Sequence, residues 1–226
     1  MRKKNKVLVC VAHSDDETFG CGGTIAKHVS KGDKVYCISF TDGVSSRKNT
    51  KLSDIKKREI SKNKASKILG FKWVKTKTVF EDNKLSFNNL LDITKIIEIS
   101  KKKIKPNIIY THFADDLNID HRVVAEATLT AFRPIKNNFE KIFSFEVPSA
   151  TDYRYFKKKQ FNPNFINDIT KFWKIKKRAI LAYKKELQKF PNSRSLHGIE
   201  TLSKYRGSQN GLNYAEGFVL VKEISK

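Results

Sequence analysis

The sequence predicts an α/β protein whose Rossmann-like, largely parallel sheet is flanked by helices. Short apolar runs alternate with segments of helical periodicity as far as Pro148. This β-α-β-α order implies parallel strands joined by right-handed crossovers. Glycine, proline and polar clusters separate the segments, as expected of turns. Hydrophobic residues make up 39% of the chain and aromatic residues 11%, which argues against disorder.

The apolar runs that predict strands are short, rich in β-branched and aromatic residues, and bounded by polar ones. They cover residues 7–12, 34–40, part of 71–80, 107–111 and 142–147. Helices are predicted between them from apolar spacing and from end signals such as Gly32, Gly70 and Pro106. These helices span residues 20–30, a segment from Ser53 or Asp54 to residue 70, residues 88–103, and a segment from Asp120 or His121 to near Pro134.

The character of the chain changes beyond Pro148. Aromatic loops follow, with helices predicted near residues 169–188 and 195–205 and a final strand at 217–221. A length of 226 residues fits one domain. We therefore expect residues 1–226 to form a single domain, in which a C-terminal α/β extension (149–226) packs on a core (5–148).

The net charge of +23 at pH 7 is the main compositional anomaly. Such a field attracts anionic substrates, such as a nucleotide-sugar, or the anionic face of a membrane. A lysine-rich, solvated surface that reflects a biased genome is the simpler interpretation, and we favour it. No signature of a nucleic-acid-binding module occurs, so no specific nucleic-acid partner is expected. The sequence does not predict an oligomeric state.

The three cysteines, Cys10, Cys21 and Cys37, form no C-x-x-C pair. Their odd number and spacing fit a reducing cytoplasm, which is the predicted location. Cys10 and Cys37 lie in strand-like runs and are expected to be buried apolar residues. Cys21 follows a charged cluster closely, so a role as a metal ligand is a less favoured alternative.

The most informative segment is the end of the first predicted strand. The run VLVCVA is followed at once by His13, Ser14, Asp15, Asp16 and Glu17. Charged groups near a core are costly unless they are paired or used, and open α/β sheets place ligand sites at the carboxyl ends of strands. We expect a functional site here. A structural His13 and carboxylates that only complement the helix dipole are the simpler alternatives.

A second cluster follows the fourth predicted strand and has the sequence THFADDLNIDHR, residues 111–122. Both clusters lie at strand-to-helix transitions, so they can meet at the same edge of the sheet. Two histidines and a carboxylate with one open position are typical of catalytic zinc. The joint presence of the clusters favours a metal site over an ordinary helix start.

Together the clusters resemble the AHPDDE and His-Pro-Asp-His motifs of the LmbE-like, or PIG-L, zinc-dependent N-deacetylases. Here they are AHSDDE, with Ser14 in place of proline, and NIDH, with Asn118 in place of the commoner histidine. Arg58 matches a family arginine, although the glutamate usual three residues later is Ser61. Segments similar to a bacterial, sugar-directed branch extend the resemblance over most of the chain: SFEV at 144–147, FNPN at 161–164, and RG and YAEGF within 206–218.

The resemblance implies a Zn²⁺ ion held by His13, Asp16 and His121. It makes Asp15 the general base that deprotonates the attacking water. Fe²⁺ and Mn²⁺ also accept such ligands, so the native metal is not predicted.

Asn118, Asp120 and Arg58 complete the predicted site. Asn118 takes the place of a histidine thought to stabilise the oxyanion; an amide can donate that hydrogen bond but cannot donate a proton. Asp120 is expected to orient a neighbouring side chain or a metal-bound histidine, or else to cap its helix. Arg58 is expected to face the substrate, and the alternative is a solvent-facing arginine on a basic helix.

Other polar residues are expected near the substrate on weaker grounds. They are His112, Asp115 and Asp116, along the approach to the second cluster, and His197, Arg206 and Glu216, in the tail, which could close over a sugar.

The resemblance implies hydrolysis of the N-acetyl group of an amino sugar or glycoconjugate, with release of acetate and a free amine. One alternative is an amidohydrolase that acts on another N-acyl small molecule, such as a thiol or antibiotic precursor. A non-catalytic basic binding protein is the second. The retained His13, Asp15, Asp16 and His121 argue against the second alternative.

Overall fold

A computed structural model describes residues 3–135, 139–155 and 159–225. Within these residues the chain forms one seven-stranded sheet of order β3-β2-β1-β4-β5-β7-β6. The first five strands along the chain pair in parallel, and β7 is antiparallel to both of its neighbours. The strands are β1 (Lys6–Val11), β2 (Lys34–Ser39), β3 (Lys72–Trp73), β4 (Ile108–His112), β5 (Lys141–Phe145), β6 (Phe165–Asp168) and β7 (Ala215–Glu223).

Helices cover both faces of the sheet, which confirms the predicted α/β architecture. They are α1 (Asp16–Ser30), α2 (Leu52–Leu69), α3 (Leu90–Ile104), α4 (Ile119–Ala131), α5 (Trp173–Ala182) and α6 (Leu196–Ser208). Buried side chains of α1, α2 and α5 share one apolar core, and those of α3 and α4 share a second. None of the described helices is long and apolar enough to cross a bilayer.

The order of the parallel strands places a crevice between β1 and β4. The chain builds outward from β1 through β2 to β3, then returns to the other side of β1 to add β4 and β5. Ligands of open α/β sheets bind where the strand order reverses in this way. Both charged clusters follow the two strands that flank this point, so the topology brings them together.

The structure corrects several predicted boundaries. Helix α1 begins at Asp16 rather than at residue 20, because the carbonyl of Asp15 already accepts the N–H groups of Thr18 and Phe19. The third strand is reduced to two residues and an isolated bridge between Thr41 and Phe80. Strand β6 was not predicted, since its sequence FIND has no clear alternation.

The C-terminal extension holds the first charged cluster in place through Glu216 on β7. Helix α1 is kinked at Cys21, where φ is −139° and ψ is 23°. The N–H groups of Gly23 and Thr24, just past the kink, donate to the Glu216 carboxylate at 2.8 and 2.7 Å. Lys176 of α5 pairs with the same carboxylate at 2.7 Å, and both side chains are 3% exposed. The expectation that Glu216 closes over a sugar is therefore wrong.

Replacing Glu216 tests this buried contact. Glu216→Ala should lower the free energy of unfolding by about 3–5 kcal/mol, because it leaves the Lys176 ammonium buried without its partner. Urea titration measures the loss. Glu59→Ala, which removes the exposed partner of a surface pair with Lys62, is the control and should change stability by less than about 1 kcal/mol. Equal losses in the two variants would contradict the assignment.

Candidate metal centre and active site

A cavity of about 570 Å³ opens where the two charged clusters meet. Its size lies within the range of small-molecule sites. Six of the predicted site residues line it: His13, Asp15, Asp16, Arg58, Asn118 and His121. The seventh, Asp120, is fully buried behind His13. The structure thus assembles residues that are far apart in sequence around one opening.

Three potential ligand atoms converge on one wall of the cavity. Nδ1 of His13 lies 3.2 Å from Oδ2 of Asp16 and 3.2 Å from Nε2 of His121. The last two atoms are 3.4 Å apart. A tetrahedral zinc ion with bonds of about 2.0–2.2 Å needs ligand atoms roughly 3.3–3.6 Å apart. Within the described chain, Oδ1 of Asp16 is buried without a hydrogen-bond partner, so this carboxylate keeps free acceptor capacity. The donor set therefore fits such an ion.

The second nitrogen of His13 faces two more carboxylates. Nε2 lies 3.0 Å from Oδ1 of Asp82 and 3.1 Å from Oδ2 of Asp120. These three groups could also hold a cation. However, Asp120 already accepts the backbone N–H groups of Asn83 and Leu85 at 2.7 and 2.9 Å. This favours the role of a carboxylate that fixes the tautomer and orientation of a ligand histidine.

His121 has a matching carboxylate behind it. Oδ1 of Asp116 lies 3.3 Å from Nδ1 of His121. The other oxygen of Asp116 accepts the Thr151 hydroxyl at 2.6 Å, and Oδ1 accepts the backbone N–H of Asn118 at 2.9 Å. Asp116 does not line the cavity, contrary to expectation. It instead orients His121, a role that sequence alone did not indicate.

These contacts set the protonation of His13, Asp16 and His121 when no metal is bound. Burial lowers the pKa of His13 and His121, but Asp16 and the carboxylates behind the rings outweigh it, and the pKa of His121 rises to about 9. Burial raises the pKa of Asp16, whereas the two histidines hold it well below its usual range. Binding of a metal must therefore displace protons from the histidines.

Asp15 is held by two arginines. Its Oδ1 lies 2.8 Å from Nη2 of Arg58, and its Oδ2 accepts a hydrogen bond of 2.6 Å from Nη2 of Arg194. Arg58 also pairs with Glu186 at 2.9 Å. Its Nε donates to the Ser14 hydroxyl at 3.2 Å, so the serine that replaces proline supplies an acceptor. Arg58 is buried, which excludes the solvent-facing alternative; substrate contact by Arg58 stays a prediction.

Asn118 is the N-cap of α4, not Asp120 as the capping alternative proposed. Its Oδ1 accepts the backbone N–H of Asp120 at 2.8 Å. This hydrogen bond fixes the orientation of the amide, because the oxygen is the only acceptor in the group. The NH₂ group is left as the donor at the cavity wall.

Other expected residues lie outside the cavity. His112 accepts the Ala12 N–H at 2.9 Å and stacks on His121. Asp115 pairs with Arg154. The remaining three are occupied elsewhere: Arg206 pairs with Glu146, His197 packs on Phe190, and the buried Cys21 thiol donates to the carbonyl of Glu17.

Four charged residues of the cavity wall were missed. Asp82 follows the bridge at Phe80, so the rule that ligands gather at strand ends could have identified it. Burial raises the pKa of Asp82, but the contacts with His13, Ser46 and Arg58 together outweigh this and lower it to about 2. Arg47, Glu186 and Arg194 lie in loops without a motif, and among so many charged residues nothing marks them.

Residues 8–132 match the family model described as PIG-L: GlcNAc-PI de-N-acetylase. The chain belongs to the PIG-L family. Over 157 residues it is also 30% identical to the uncharacterized deacetylase YaiS of Escherichia coli K12, an alignment that spans 66% of this chain and 77% of YaiS.

Two solved structures show how widely this fold is used. The N,N'-diacetylchitobiose deacetylase of Pyrococcus horikoshii superposes with a TM-score of 0.73 at 21% identity, over 96% of this chain and 84% of its own. GalB, the 4-carboxy-2-hydroxymuconate hydratase of Pseudomonas putida KT2440, gives 0.72 at 19% identity, over 98% of both chains. A deacetylase and a hydratase share the fold, so the chemistry must be argued from the site.

Glu17 is buried beside the candidate metal ligands without facing the cavity. Its Oε1 accepts the hydroxyls of Thr18 and Tyr183 at 2.7 and 3.2 Å. Burial raises the pKa of Glu17 to about 8. The side chain is therefore protonated at neutral pH.

A Glu17→Gln variant tests this protonation. Between the unfolded pKa of about 4.3 and the folded value, only the unfolded chain releases the Glu17 proton, so wild-type stability falls as pH rises through this window. Glutamine does not titrate, so the variant does not lose stability in this way. With rising pH, the unfolding free energy of the variant should therefore increase relative to that of wild type by up to about 1.4 kcal/mol per pH unit. Urea titrations from pH 5 to 8, with chelator in both samples, measure it; parallel pH profiles would contradict a protonated Glu17.

Proposed function

We propose that this protein is a metal-dependent N-deacetylase, which hydrolyses the N-acetyl group of an amino sugar or glycoconjugate to acetate and a free amine. The observation that carries the proposal is the convergence of three ligand atoms 3.2–3.4 Å apart beside the Asp15 carboxylate. Membership of the PIG-L family and the likeness to a diacetylchitobiose deacetylase support an acetylated sugar as substrate.

His13, Asp16 and His121 are the residues that would hold Zn²⁺, or Fe²⁺ in its place. Such an ion supplies a Lewis acid, which polarises the acyl carbonyl and acidifies water. Asp120 and Asp116 hold the two histidine rings in the orientation that presents Nδ1 of His13 and Nε2 of His121 to the cavity.

Asp15 moves the proton. A carboxylate has about four lone-pair sites, and the two arginines leave some of them free. Asp15 accepts the proton of the attacking water as the C–O bond forms. It then gives this proton to the amine as the C–N bond breaks, since Asn118 has no proton to donate at neutral pH. One carboxylate thus serves as base and then as acid.

Asn118 stabilises the oxyanion through its NH₂ group. The N-cap hydrogen bond aims this donor before substrate arrives, and preorganised donors are the effective ones. Arg58 keeps part of its donor capacity for substrate hydroxyls, although Asp15, Glu186 and Ser14 already use the rest.

Acetate release from a panel of N-acetyl sugars, free and nucleotide-linked, tests the function. The panel includes N-acyl thiol and antibiotic precursors, so that activity on those alone would favour the amidohydrolase alternative. Turnover that survives exhaustive chelation would refute the metal.

Substitutions of the two adjacent aspartates should have different effects on metal binding and turnover. Asp15→Asn should keep its metal and lower kcat by roughly 10²–10⁴, the usual size of a general-base contribution. Asp16→Asn should weaken metal binding, because an amide oxygen is a poorer ligand than a carboxylate, and excess metal should restore part of its activity. Elemental analysis and kinetics measure both, with His121→Ala as a reference for metal loss. The reverse pattern would mean that the two roles are exchanged.

Asn118 can be tested with its capping role kept constant. Asn118→Asp preserves a good N-cap but has no NH₂ group and adds a negative charge beside the oxyanion. Asn118→Ala loses both functions. We expect kcat to fall by roughly 10²–10³ in the alanine variant, with little change in KM, and at least as far in the aspartate variant. Normal turnover of Asn118→Asp would place the amide outside the reaction.

A further inference from the structure

Arg194 reaches the active site from the C-terminal extension, in the segment between α5 and α6. Its Nη2 donates to Oδ2 of Asp15 at 2.6 Å, and its side chain is 18% exposed. We infer that Arg194 is a positioning residue for the reaction: with Arg58 it clamps the Asp15 carboxylate in the orientation that accepts the proton of water. The inference rests on the proposed deacetylase function and on Asp15 as its base.

The clamp acts on both oxygens of one carboxylate. Arg58 holds Oδ1 at 2.8 Å and Arg194 holds Oδ2 at 2.6 Å. A single ion pair would let the carboxylate rotate about its Cβ–Cγ bond. Two cations on different oxygens fix that rotation, so the remaining lone pairs point in constant directions. Proton transfer depends steeply on such alignment.

Arg194 is itself held in place, as a positioning group must be. Its guanidinium lies over the Phe19 ring, 4.6 Å from the centroid, and Nη1 lies 3.4 Å from the Pro148 carbonyl oxygen. Its backbone N–H donates to the Asn192 side chain at 2.8 Å, and its carbonyl accepts the Gln188 N–H at 3.3 Å. These contacts offset the entropy lost when a long side chain is ordered.

Arg47 is another arginine of the cavity wall whose contacts differ from those of Arg194. It also lines the cavity, but it pairs with Glu186 at 2.6 Å, is 47% exposed, and makes no described contact with Asp15. An arginine of that kind can bind substrate directly, and its loss should raise KM. Arg194 should instead affect kcat, because it acts through Asp15.

Steady-state kinetics of Arg194→Ala test the inference on whichever N-acetyl substrate the wild-type enzyme uses. We expect kcat to fall by roughly 10²-fold, the cost of a misplaced catalytic group, with KM within about twofold and metal content unchanged. Added guanidinium should restore part of the kcat. Arg194→Lys, which keeps a cation, should lose less. If the alanine variant does not fold, Arg194→Gln, which keeps a long polar side chain without the charge, replaces it with the same expected kinetics.

Arg206→Ala is the matched control. Arg206 belongs to the same extension, is 14% exposed, and pairs with Glu146 at 2.8 Å without lining the cavity. Its kcat should match wild type and should not respond to guanidinium. A similar loss in both variants would mean a merely structural effect and would overturn the inference.

A double-mutant cycle with Asp15→Asn decides whether Arg194 acts through the carboxylate. In that background, Arg194→Ala should cost nothing further under single-turnover conditions, whereas a direct substrate contact would give additive losses and overturn the inference. Unchanged kcat in Arg194→Ala, with wild type active and Asp15→Asn inactive, would overturn this inference alone. A wild-type enzyme inert toward every N-acyl compound would overturn the proposed function and this inference with it.

Discussion

The parallel pairing of β1 with both β2 and β4 is the constraint on which the rest of the structure depends. β1 is buried between these neighbours, and its register with β4 ends both strands at one edge of the sheet. His13 and His121, separated by 108 positions, therefore come within 3.2 Å. A change of register would move the two ligand groups apart by several ångströms, since each residue of a strand advances about 3.3 Å. The register of the sheet therefore brings the two histidines together, and contacts from the loops orient them.

Burial of charge is the second constraint. Asp15, Asp16, Asp116 and Asp120 are at most 1% exposed, and unpaired carboxylates in such surroundings would destabilise the fold strongly. Each has a cationic or hydrogen-bonding partner: histidines for Asp16 and Asp116, backbone amides for Asp120, and arginines for Asp15. Even so, ion pairs of this kind rarely stabilise a fold more than apolar residues of the same volume. Their concentration around one cavity fits the proposed chemistry, in which each partner fixes the direction of a proposed metal ligand or of the proposed base.

The sequence predicted those features of the fold and of the candidate site that depend on local patterns. Alternating strand and helix signals predicted the parallel strands, and clusters at strand ends predicted a functional site. The choice of His13, Asp16 and His121 within those clusters came from the family resemblance. Sequence reasoning could not find Glu186 and Arg194, because no periodicity or motif marks them. The long-range packing of a loop-rich extension brings them to the cavity. Asp116 stood within a recognised cluster, yet its role depends on a contact between the loop before α4 and the His121 ring in the first turn of that helix. The role of Glu216 was missed for a related reason, since its partners are backbone N–H groups just past the kink in α1, and the sequence did not indicate that kink.

The excess of lysine does not extend into the candidate active site. No lysine lines the cavity in the described part of the chain; its cations are the histidines and Arg47, Arg58 and Arg194. Each of these arginines has a carboxylate partner within 3 Å. The net charge of +23 therefore surrounds the cavity without being concentrated in it. An anionic substrate would feel this field during diffusional approach, but would meet a wall already neutralised by Asp15 and Glu186. For the sugar substrate that we propose, recognition in the cavity would thus depend on directed hydrogen bonds to hydroxyl groups.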